Sequence, residues 1–280
     1  MVPPQRACSS TNPIFARLSH QLLPMQTRIL SYNVNGIRSA ISKGLIEWLL
    51  PQHFDFICIQ ETKAQPEQVD LSPLLDAGYK AYWHSAKKKG YSGVLTLSRR
   101  EPDLVEAGCG DHRYDDEGRI LRTDFGEYTL LNCYFPSGTT GDVRQEFKYR
   151  FLDDFFDWIQ HLRKERPQLI VAGDFNIAHT EMDIHDPKGN KNSSGFLPEE
   201  RAWMTKFFSS GFTDPFRKVH PDLVEYSWWS FRANARAKNK GWRIDYIAVS
   251  DNLADRIIDL RHLTDVVHAD HCPVLLTIDL

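Results

Sequence analysis

The sequence has few cysteines and no long apolar run. Its five cysteines are odd in number and widely spaced, and they form no CxxC pair or Cys/His cluster of zinc-site spacing. A reduced, cytosolic protein is therefore the simpler interpretation. No apolar stretch approaches the roughly 18 to 20 residues that span a bilayer, which predicts a soluble protein without a membrane partner. The cysteines are Cys8, Cys58, Cys109, Cys133 and Cys272.

An excess of positive charge is also missing. The 34 Lys and Arg are outnumbered by 37 Asp and Glu, which gives a formal net charge of -3. Any nucleic-acid surface must therefore be a local patch. The chain of 280 residues is 41% hydrophobic and 12% aromatic, which is enough for a large core in one α/β domain, and we favour one domain over two.

Acidic residues are absent from residues 1–24, which carry Pro, Ser and Arg and no apolar stretch long enough for a signal-peptide core. Because Met25 stands just before the first strand-like run, this segment is predicted to be a disordered tail or an over-called start. An acid-poor leader with Arg also fits an organelle transit peptide, and that alternative stays open. A single domain is predicted for residues 25–280.

Short strand-like runs alternate with helical patterns from Arg28 onward, which is typical of a layered α/β domain. A long helix is predicted between Arg144 and Arg166, and another begins at Pro198. The segments ICIQET and IVAGDFN each end an apolar strand in an acid, an echo that fits two related sheets facing each other. The predicted strands are RILSYNV, FDFICIQ, KAYWHSA, SGVLTLS, YTLLNCYF, QLIVAGDF, RIDYIAVS and CPVLLTIDL.

Four acidic residues stand at or beside the ends of these strands, where α/β folds assemble sites. Taken singly, an acid after a strand is more often a turn residue or a helix cap. If the four converge, two like charges about 4 Å apart repel by roughly 4 kcal/mol at an effective dielectric near 20, which a cation relieves. Oxygen ligands favour Mg²⁺ or Mn²⁺ over zinc. The four are Glu61, Asp174, Asp245 and Asp270.

Amide, phenol and imidazole groups accompany these acids. In isolation, an Asn after a strand is commonly a turn former and a lone His is commonly structural. Together with the acids they supply what an in-line attack on a phosphodiester requires: a metal, a water-activating base, phosphate donors and an imidazolium near the developing charge. They are Asn33, Asn35, Tyr134, Asn176 and His271.

Nine ordered segments between Arg28 and Leu280 resemble the blocks of the exonuclease III-type abasic endonucleases. They are SYNVNGIRSA, CIQETKA, GYSGVL, NCYFPSG, GDFNIAH, DPKGN, SGFLPEERAW, NARAKNKGWRIDYIAVS and HADHCPV. The resemblance implies a DNase I-like, four-layer α/β sandwich in which two packed mixed β-sheets are flanked by helices. It also implies Mg²⁺, which Mn²⁺ replaces, no nucleotide cofactor, and a monomer that acts on double-stranded DNA with abasic or 3′-blocked lesions.

The resemblance also assigns roles to residues. Glu61 looks like the principal metal ligand, and Asn33, Asn35 and Asp270 complete the metal shell. Asp174 looks like the group that activates the attacking water and Asn176 like its positioner. His271 bonded to Asp245 resembles the phosphate-contacting imidazole, and Tyr134 holds the phosphate or supports the leaving oxygen. Asn190 and Ser193 lie near the part that accepts the sugar, although the family often carries a larger amide where this chain has Ser193.

A basic, aromatic segment between Trp228 and Trp242, WWSFRANARAKNKGW, contains no acidic residue. A solvated loop with a buried tryptophan pair is the plain structural interpretation. Cations interleaved with aromatics also suit phosphate contacts and a wedge against a base gap, and Lys87, Lys88, Lys89, Arg99 and Arg100 extend this footprint unless they only aid solubility. The predicted DNA-binding residues here are Trp228, Arg232, Asn234, Arg236, Lys238, Lys240 and Trp242.

The leading hypothesis is a repair nuclease that hydrolyses DNA 5′ to abasic sites with Mg²⁺, with 3′ to 5′ exonuclease and 3′-phosphodiesterase activity. A phosphatase or lipid phosphodiesterase on the same scaffold fits the carboxylates but leaves the basic aromatic segment unexplained. A DNA-binding regulator without catalysis is the third hypothesis, and it is disfavoured because every catalytic position is filled. The expected compartment is the cytoplasm, at the nucleoid if the host is bacterial.

Overall fold

The computed structural model describes Met1 and residues 26–280. The predictions for residues 1–24, a tail or over-called start and the targeting alternative, fall outside the described residues apart from Met1. Within the described residues no helix is both long and apolar enough to cross a membrane.

Twelve strands of the described chain form two six-stranded sheets. The first sheet has the order β11-β12-β1-β2-β4-β3 and the second β5-β6-β7-β8-β10-β9. Each is mixed, because β1 and β2 run parallel, as do β7 and β8, and the other pairs are antiparallel. The strands are β1 Gln26–Asn33, β2 Phe56–Gln60, β3 Lys80–His84, β4 Val94–Ser98, β5 Leu104–Ala107, β6 Ile120–Phe125, β7 Tyr128–Tyr134, β8 Gln168–Asp174, β9 Phe212–Thr213, β10 Asp245–Ser250, β11 Ile257–His262 and β12 Val274–Asp279.

Helices connect the strands and cover the outer faces of both sheets. The α-helices are α1 Ile37–Ile41, α2 Leu45–Leu49, α3 Ser72–Asp76, α4 His112–Asp115, α5 Asp142–Glu165, α6 Pro187–Asn190, α7 Pro198–Ser209 and α8 Pro215–Val219. Short 3₁₀ helices span Leu50–Gln52, Pro66–Gln68, Glu181–Asp183, Arg232–Asn234 and Asp251–Arg256.

Successive residues of each central strand point to opposite faces, and both faces are apolar. Ile29 on β1 and Ile170 on β8 face each other in the core between the sheets. Their neighbour Leu30 packs outward against α1 and α2, and Leu169 packs outward against α5 and α7. Both faces of each sheet are therefore covered, and the predicted four-layer sandwich is confirmed.

All eight predicted strands form, and so do both predicted helices. The long helix begins at Asp142, two residues earlier than the pattern indicated. The sequence pattern did not predict β5, β6, β9 and β11. β5 is exposed at every position of a sheet edge, and β6 and β11 carry charged residues among their apolar ones, so neither the alternation nor an unbroken apolar run identifies them.

Candidate active site at the strand ends

The four predicted acids converge at one edge of the sandwich. Tyr134 and Asp174 are register partners at the ends of parallel β7 and β8, and Asp245, which starts antiparallel β10, pairs with the same Asp174. Glu61 directly follows β2 in the other sheet. Asp270 and His271 arrive from the segment before β12, so both sheets contribute to one site.

Asn33, at the end of β1, joins the two sheets at this site. Its Nδ2 donates to Glu61 Oε1 at 2.9 Å and to Asp174 Oδ2 at 2.8 Å. Its Oδ1 accepts from the backbone N–H of Asn35 at 2.9 Å. Asn33 thus connects two carboxylates through its amino group, and its carbonyl oxygen is engaged within its own turn.

Glu61 has a cationic neighbour that the sequence analysis did not single out. Lys63 Nζ lies 2.8 Å from Glu61 Oε2. Burial raises the pKa of Glu61, but the charge of Lys63 and the hydrogen bond from Asn33 outweigh it and hold the pKa below its usual value. Glu61 is therefore an anionic ligand at neutral pH. Lys63 follows Glu61 by two residues in QETKA, and this spacing could have identified it as the neighbour of Glu61.

The pKa of Asp174 is shifted in the opposite direction to that of Glu61. Asp174 is 1% exposed, and its Oδ1 accepts from the backbone N–H of Asn176 at 2.8 Å. Burial and the negative charge of Asp245 raise the pKa of Asp174 to about 8, although His271 opposes the shift. A carboxylate with a raised pKa is a stronger base than an exposed one, so Asp174 is suited to taking a proton near neutral pH.

His271 and Asp245 form a buried pair. His271 Nδ1 donates to Asp245 Oδ2 at 2.8 Å, which leaves His271 Nε2 3.9 Å from Asp174 Oδ2. Burial lowers the pKa of His271, but the adjacent Asp245 carboxylate outweighs it and raises the pKa to about 10. His271 is therefore an imidazolium at neutral pH, with Nε2–H directed into the site.

Among the described residues, Glu61, Asp174 and His271 bring one potential ligand atom each within 4.8 Å of one another. His271 keeps its proton, and Glu61 is the ionised oxygen donor of this group, because its pKa is lowered whereas that of Asp174 is raised to about 8. Asp270 is engaged elsewhere in part, since its Oδ1 accepts from Asn35 Nδ2 at 3.0 Å and its Oδ2 from Trp228 Nε1 at 3.1 Å. The donors are oxygens, which fits a hard divalent cation.

Tyr134 and Asn176 complete the floor of the site. The guanidinium of Arg119 lies 5.0 Å from the centre of the Tyr134 ring and donates to the Tyr134 carbonyl at 2.9 Å. Burial, with the negative charge of Glu61, raises the pKa of Tyr134 well above its usual value, so the phenol stays protonated. Asn176 Nδ2 donates to the carbonyl of Phe135 at 2.9 Å.

A buried ion pair supports Asn176 from beneath. Lys148 and Glu200 have fully buried side chains that meet at 2.6 Å, and Lys148 Nζ also donates to the Asn176 carbonyl at 2.8 Å. Glu200 Oε2 accepts from the backbone N–H of Gly195, in the turn beside Ser193. The sequence pattern did not predict this pair. The position of Lys148 between Phe147 and Phe151 on a core-facing helix could have indicated a buried lysine.

The site opens into a cleft of about 1010 Å³. Its floor includes Glu61, Tyr134, Asp174 and His271, and Ser193, Trp228 and Trp242 also line it. The indole rings of Trp228 and Trp242 are nearly perpendicular, with centres 6.0 Å apart. Asn190 uses its side-chain amide within its own turn, donating to the carbonyls of His185 and Asp186.

The basic loop, residues 230–240, lies in the chain between Trp228 and Trp242, which both line the cleft. Arg232, Asn234, Lys238 and Lys240 are exposed. Arg236 is not free in the same way, because its guanidinium donates to the carbonyls of Thr264, Val266 and Ala269 and stacks 4.6 Å from the ring centre of Trp229. These contacts brace the loop against the segment before Asp270, and a contact of Arg236 with DNA stays a prediction.

The two-sheet sandwich and its acidic site define a metal-dependent hydrolase of the DNase I-like fold class. Residues 30–265 match the model of the Endonuclease/Exonuclease/phosphatase family. The exodeoxyribonuclease of Bacillus subtilis (strain 168) is 42% identical over 255 residues, which cover 90% of this chain and 100% of that protein. The DNA repair nuclease APEX1 of Danio rerio is 36% identical over 252 residues, covering 89% of this chain and 81% of that protein.

Solved structures agree with these relatives. The structure of an AP endonuclease from Archaeoglobus fulgidus superimposes with a TM-score of 0.83 at 28% identity, covering 91% of this chain and 100% of that one. The chain therefore belongs to the Endonuclease/Exonuclease/phosphatase family, in its group of exodeoxyribonucleases and AP endonucleases. It is a hydrolase and a DNA repair nuclease, as the sequence predicted.

Proposed function

We propose that this nuclease uses Mg²⁺, which Mn²⁺ replaces, to hydrolyse the backbone of double-stranded DNA on the 5′ side of abasic sites. It trims 3′-blocked ends and degrades strands 3′ to 5′ as secondary activities in base excision repair. The observation that carries the proposal is the joint position of Asp174 and His271 at the floor of a cleft that Trp228 and Trp242 line, with Asp245 bonded to His271 beneath it.

Glu61 and Asp270, with the amides of Asn33 and Asn35, are the residues that would hold the cation. Their donor atoms are oxygens, and the Asp245 Oδ1 atom nearby is buried without a hydrogen-bond partner among the described residues, so this cluster carries more negative charge than its own hydrogen bonds balance. A bound Mg²⁺ supplies Lewis-acid stabilisation of the charge that develops on the phosphate oxygens.

Asp174 accepts the proton of the attacking water. Its raised pKa gives it the basicity that this step needs, and Asn176, whose backbone N–H and Nδ2 both reach Asp174, orients the carboxylate and the water. The proton moves from the water oxygen to an oxygen of Asp174 as the water oxygen attacks phosphorus and the bond from phosphorus to the 3′ oxygen breaks. The leaving 3′ oxygen takes a proton from solvent water.

His271 and Tyr134 hold the scissile phosphate. The Nε2–H of the His271 imidazolium donates to a non-bridging oxygen, a charge-assisted bond that strengthens as negative charge accumulates there. The Tyr134 hydroxyl, which keeps its proton, donates to the phosphate or to the leaving 3′ oxygen. Asp245 sustains the charge of His271 without touching the substrate.

Trp228 and Trp242 would accept the base-free sugar, with Ser193 shaping the pocket, Asn190 holding the turn before it, and Arg232, Asn234, Lys238 and Lys240 contacting phosphates. A sugar without a base fits against these two indole rings because no base is present to clash with them. We further propose that residues 25–280 act as one domain and a monomer, in the cytoplasm.

The test is a labelled duplex with a single abasic analogue, incubated with Mg²⁺ or with EDTA, and the product ends resolved on a gel. Incision 5′ to the lesion that requires Mg²⁺ supports the proposal. A ladder from the 3′ end without incision assigns the main activity to the exonuclease. Faster hydrolysis of a soluble inositol phosphate than of DNA would overturn it.

A further inference from the structure

Two amide side chains meet between the sheets beneath the active site. Gln60 ends β2 and Asn132 lies on β7, and both are fully buried. Gln60 Nε2 donates to Asn132 Oδ1 at 2.8 Å. Asn132 Nδ2 donates to the carbonyls of Leu95 on β4 at 2.9 Å and Ile59 on β2 at 3.3 Å. Because only an amino group can donate to these carbonyls, the orientation of the Asn132 amide is defined.

The pair also donates to Ser31 Oγ at 3.1 Å and to Thr96 Oγ1 at 3.3 Å, and the core beyond these groups is apolar. The facing side chains include Ile29, Phe56 and Cys58 on the first sheet and Leu130 and Ile170 on the second. Hydrophobic burial has no preferred direction, so small displacements of one sheet along the other change it little. A buried amide pair behaves differently, because a displacement breaks hydrogen bonds that no water replaces.

The amide pair is also adjacent to reacting groups along both strands. Gln60 directly precedes Glu61, and Asn132 lies two residues before Tyr134, on the same face of β7. Tyr134 is the register partner of Asp174 on the next strand. A displacement at the Gln60–Asn132 bond therefore reaches both halves of the site within one or two residues.

We propose that Gln60 and Asn132 are positioning residues that set the distance between Glu61 on the first sheet and Tyr134 and Asp174 on the second. They touch neither substrate nor the reacting atoms and act through the strands that carry them. The Asn33–Asp174 and His271–Asp245 bonds also join the two sides, but each contains a group of the site itself. Where this inference is tested by turnover of DNA, it rests on the proposed function.

The test compares the single variants Gln60→Met and Asn132→Leu with the double variant. Each single change removes the bond between the two amides and leaves the other amide buried with fewer partners, whereas the double change removes both amides and fills the space with apolar groups of similar size. We expect the double variant to melt above both single variants. Its kcat for incision of an abasic duplex should stay about 10- to 100-fold below that of the unsubstituted chain, with KM little changed, since small misplacements of reacting groups have effects of that size.

Mn²⁺ affinity, measured by isothermal titration calorimetry without DNA, provides a readout independent of cleavage. We expect the double variant to bind Mn²⁺ about 10-fold more weakly, because Asp174 no longer stands at the same distance from the ion that Glu61 holds. If the unsubstituted protein binds Mn²⁺ but does not cut DNA, the proposed function fails, and the affinity ratio still decides the role of the pair.

Thr123→Val is the matched control. Thr123 is fully buried on β6, and its Oγ1 donates to the carbonyl of Leu130 at 3.1 Å within the second sheet. Its loss should lower the melting temperature and leave kcat and Mn²⁺ affinity unchanged. The proposal is overturned if the double variant recovers kcat and Mn²⁺ affinity together with stability, or if Thr123→Val lowers kcat as much as the double variant does.

Discussion

The floor of the cleft and the basic loop beside it are built in opposite ways. On the floor, Asp174, Asp245 and His271 are 1%, 2% and 4% exposed and are held by hydrogen bonds from both sheets, whereas Arg232 and Lys238 in the loop are exposed. In-line displacement requires reacting groups fixed to fractions of an ångström. Attraction to DNA phosphates is long-range and tolerates mobile side chains. The residues proposed to react are therefore held rigidly, and the residues proposed to bind DNA phosphates remain solvated.

The largest effect that this comparison predicts is at Asp174. Asp174→Asn keeps the shape and the hydrogen bond from the Asn176 backbone but removes the base, so we expect the incision rate to fall by about 10² to 10⁴. The melting temperature should change little, because the repulsion from Asp245 disappears while the hydrogen bond from Asn33 Nδ2 to Asp174 Oδ2 is lost. Single-turnover incision, DNA-binding anisotropy and thermal melting measure the three quantities.

Asp157→Asn serves as the control for charge alone, since Asp157 is exposed on α5. It should leave incision unchanged. If Asp174→Asn instead weakened DNA binding as strongly as it slowed incision, the division of labour between floor and loop would be wrong.

The next effect concerns pH. Below a pH of about 10, His271 is charged in the folded protein, because the Asp245 carboxylate overcomes the effect of burial. Asp245→Asn removes the largest effect that raises the pKa of His271, so the pKa falls and the imidazolium is lost at lower pH. We expect a rate loss of about 10² at a mildly alkaline pH and an alkaline limb of the pH–rate profile displaced to lower pH. An alkaline limb that does not move would remove His271 from the reaction.

The loop should respond in affinity and not in rate. Replacing Arg232, Lys238 and Lys240 together by Ala is expected to weaken duplex binding and to flatten the dependence of log Kd on log salt by about 0.9 for each phosphate that the loop no longer neutralises. The value of kcat should stay within a factor of about two, because no group on the floor is changed. Binding titrations at three or more salt concentrations measure the slope, and an unchanged slope would show that these cations do not reach DNA phosphates.

The sequence was informative where a functional residue stands beside a recognisable strand. Glu61, Asp174 and Asp245 could be located because apolar strands end or begin at them, and strand ends of both sheets meet at one edge of the sandwich. The partner of each side chain could not be read, because it depends on how the two sheets pack. The Gln60–Asn132 bond and the Lys148–Glu200 ion pair cross between elements far apart in the chain, and no local pattern encodes them.

The partners of Arg236 in the loop could not be read from the sequence either. Its replacement is expected to have the smallest effect on activity. Composition grouped Arg236 with the phosphate-contacting cations, yet it donates to three carbonyls and stacks on Trp229. One of those carbonyls belongs to Ala269, the residue before Asp270. Arg236→Ala leaves partly buried acceptors without donors, which should lower the free energy of unfolding by about 1 to 3 kcal/mol.

The salt dependence of DNA binding separates the two roles of Arg236. A brace predicts that Arg236→Ala leaves the log Kd against log salt slope unchanged while denaturant unfolding shows the loss of stability. Arg236→Lys should recover little of that stability, because one ammonium cannot reach three carbonyls arranged around a planar fork. A phosphate contact predicts the reverse: a slope smaller by about 0.9, near-normal stability, and recovery of binding with Lys. If Arg236→Ala lowers stability and leaves the salt slope unchanged, Arg236 belongs with the rigid residues of the floor although it lies within the loop.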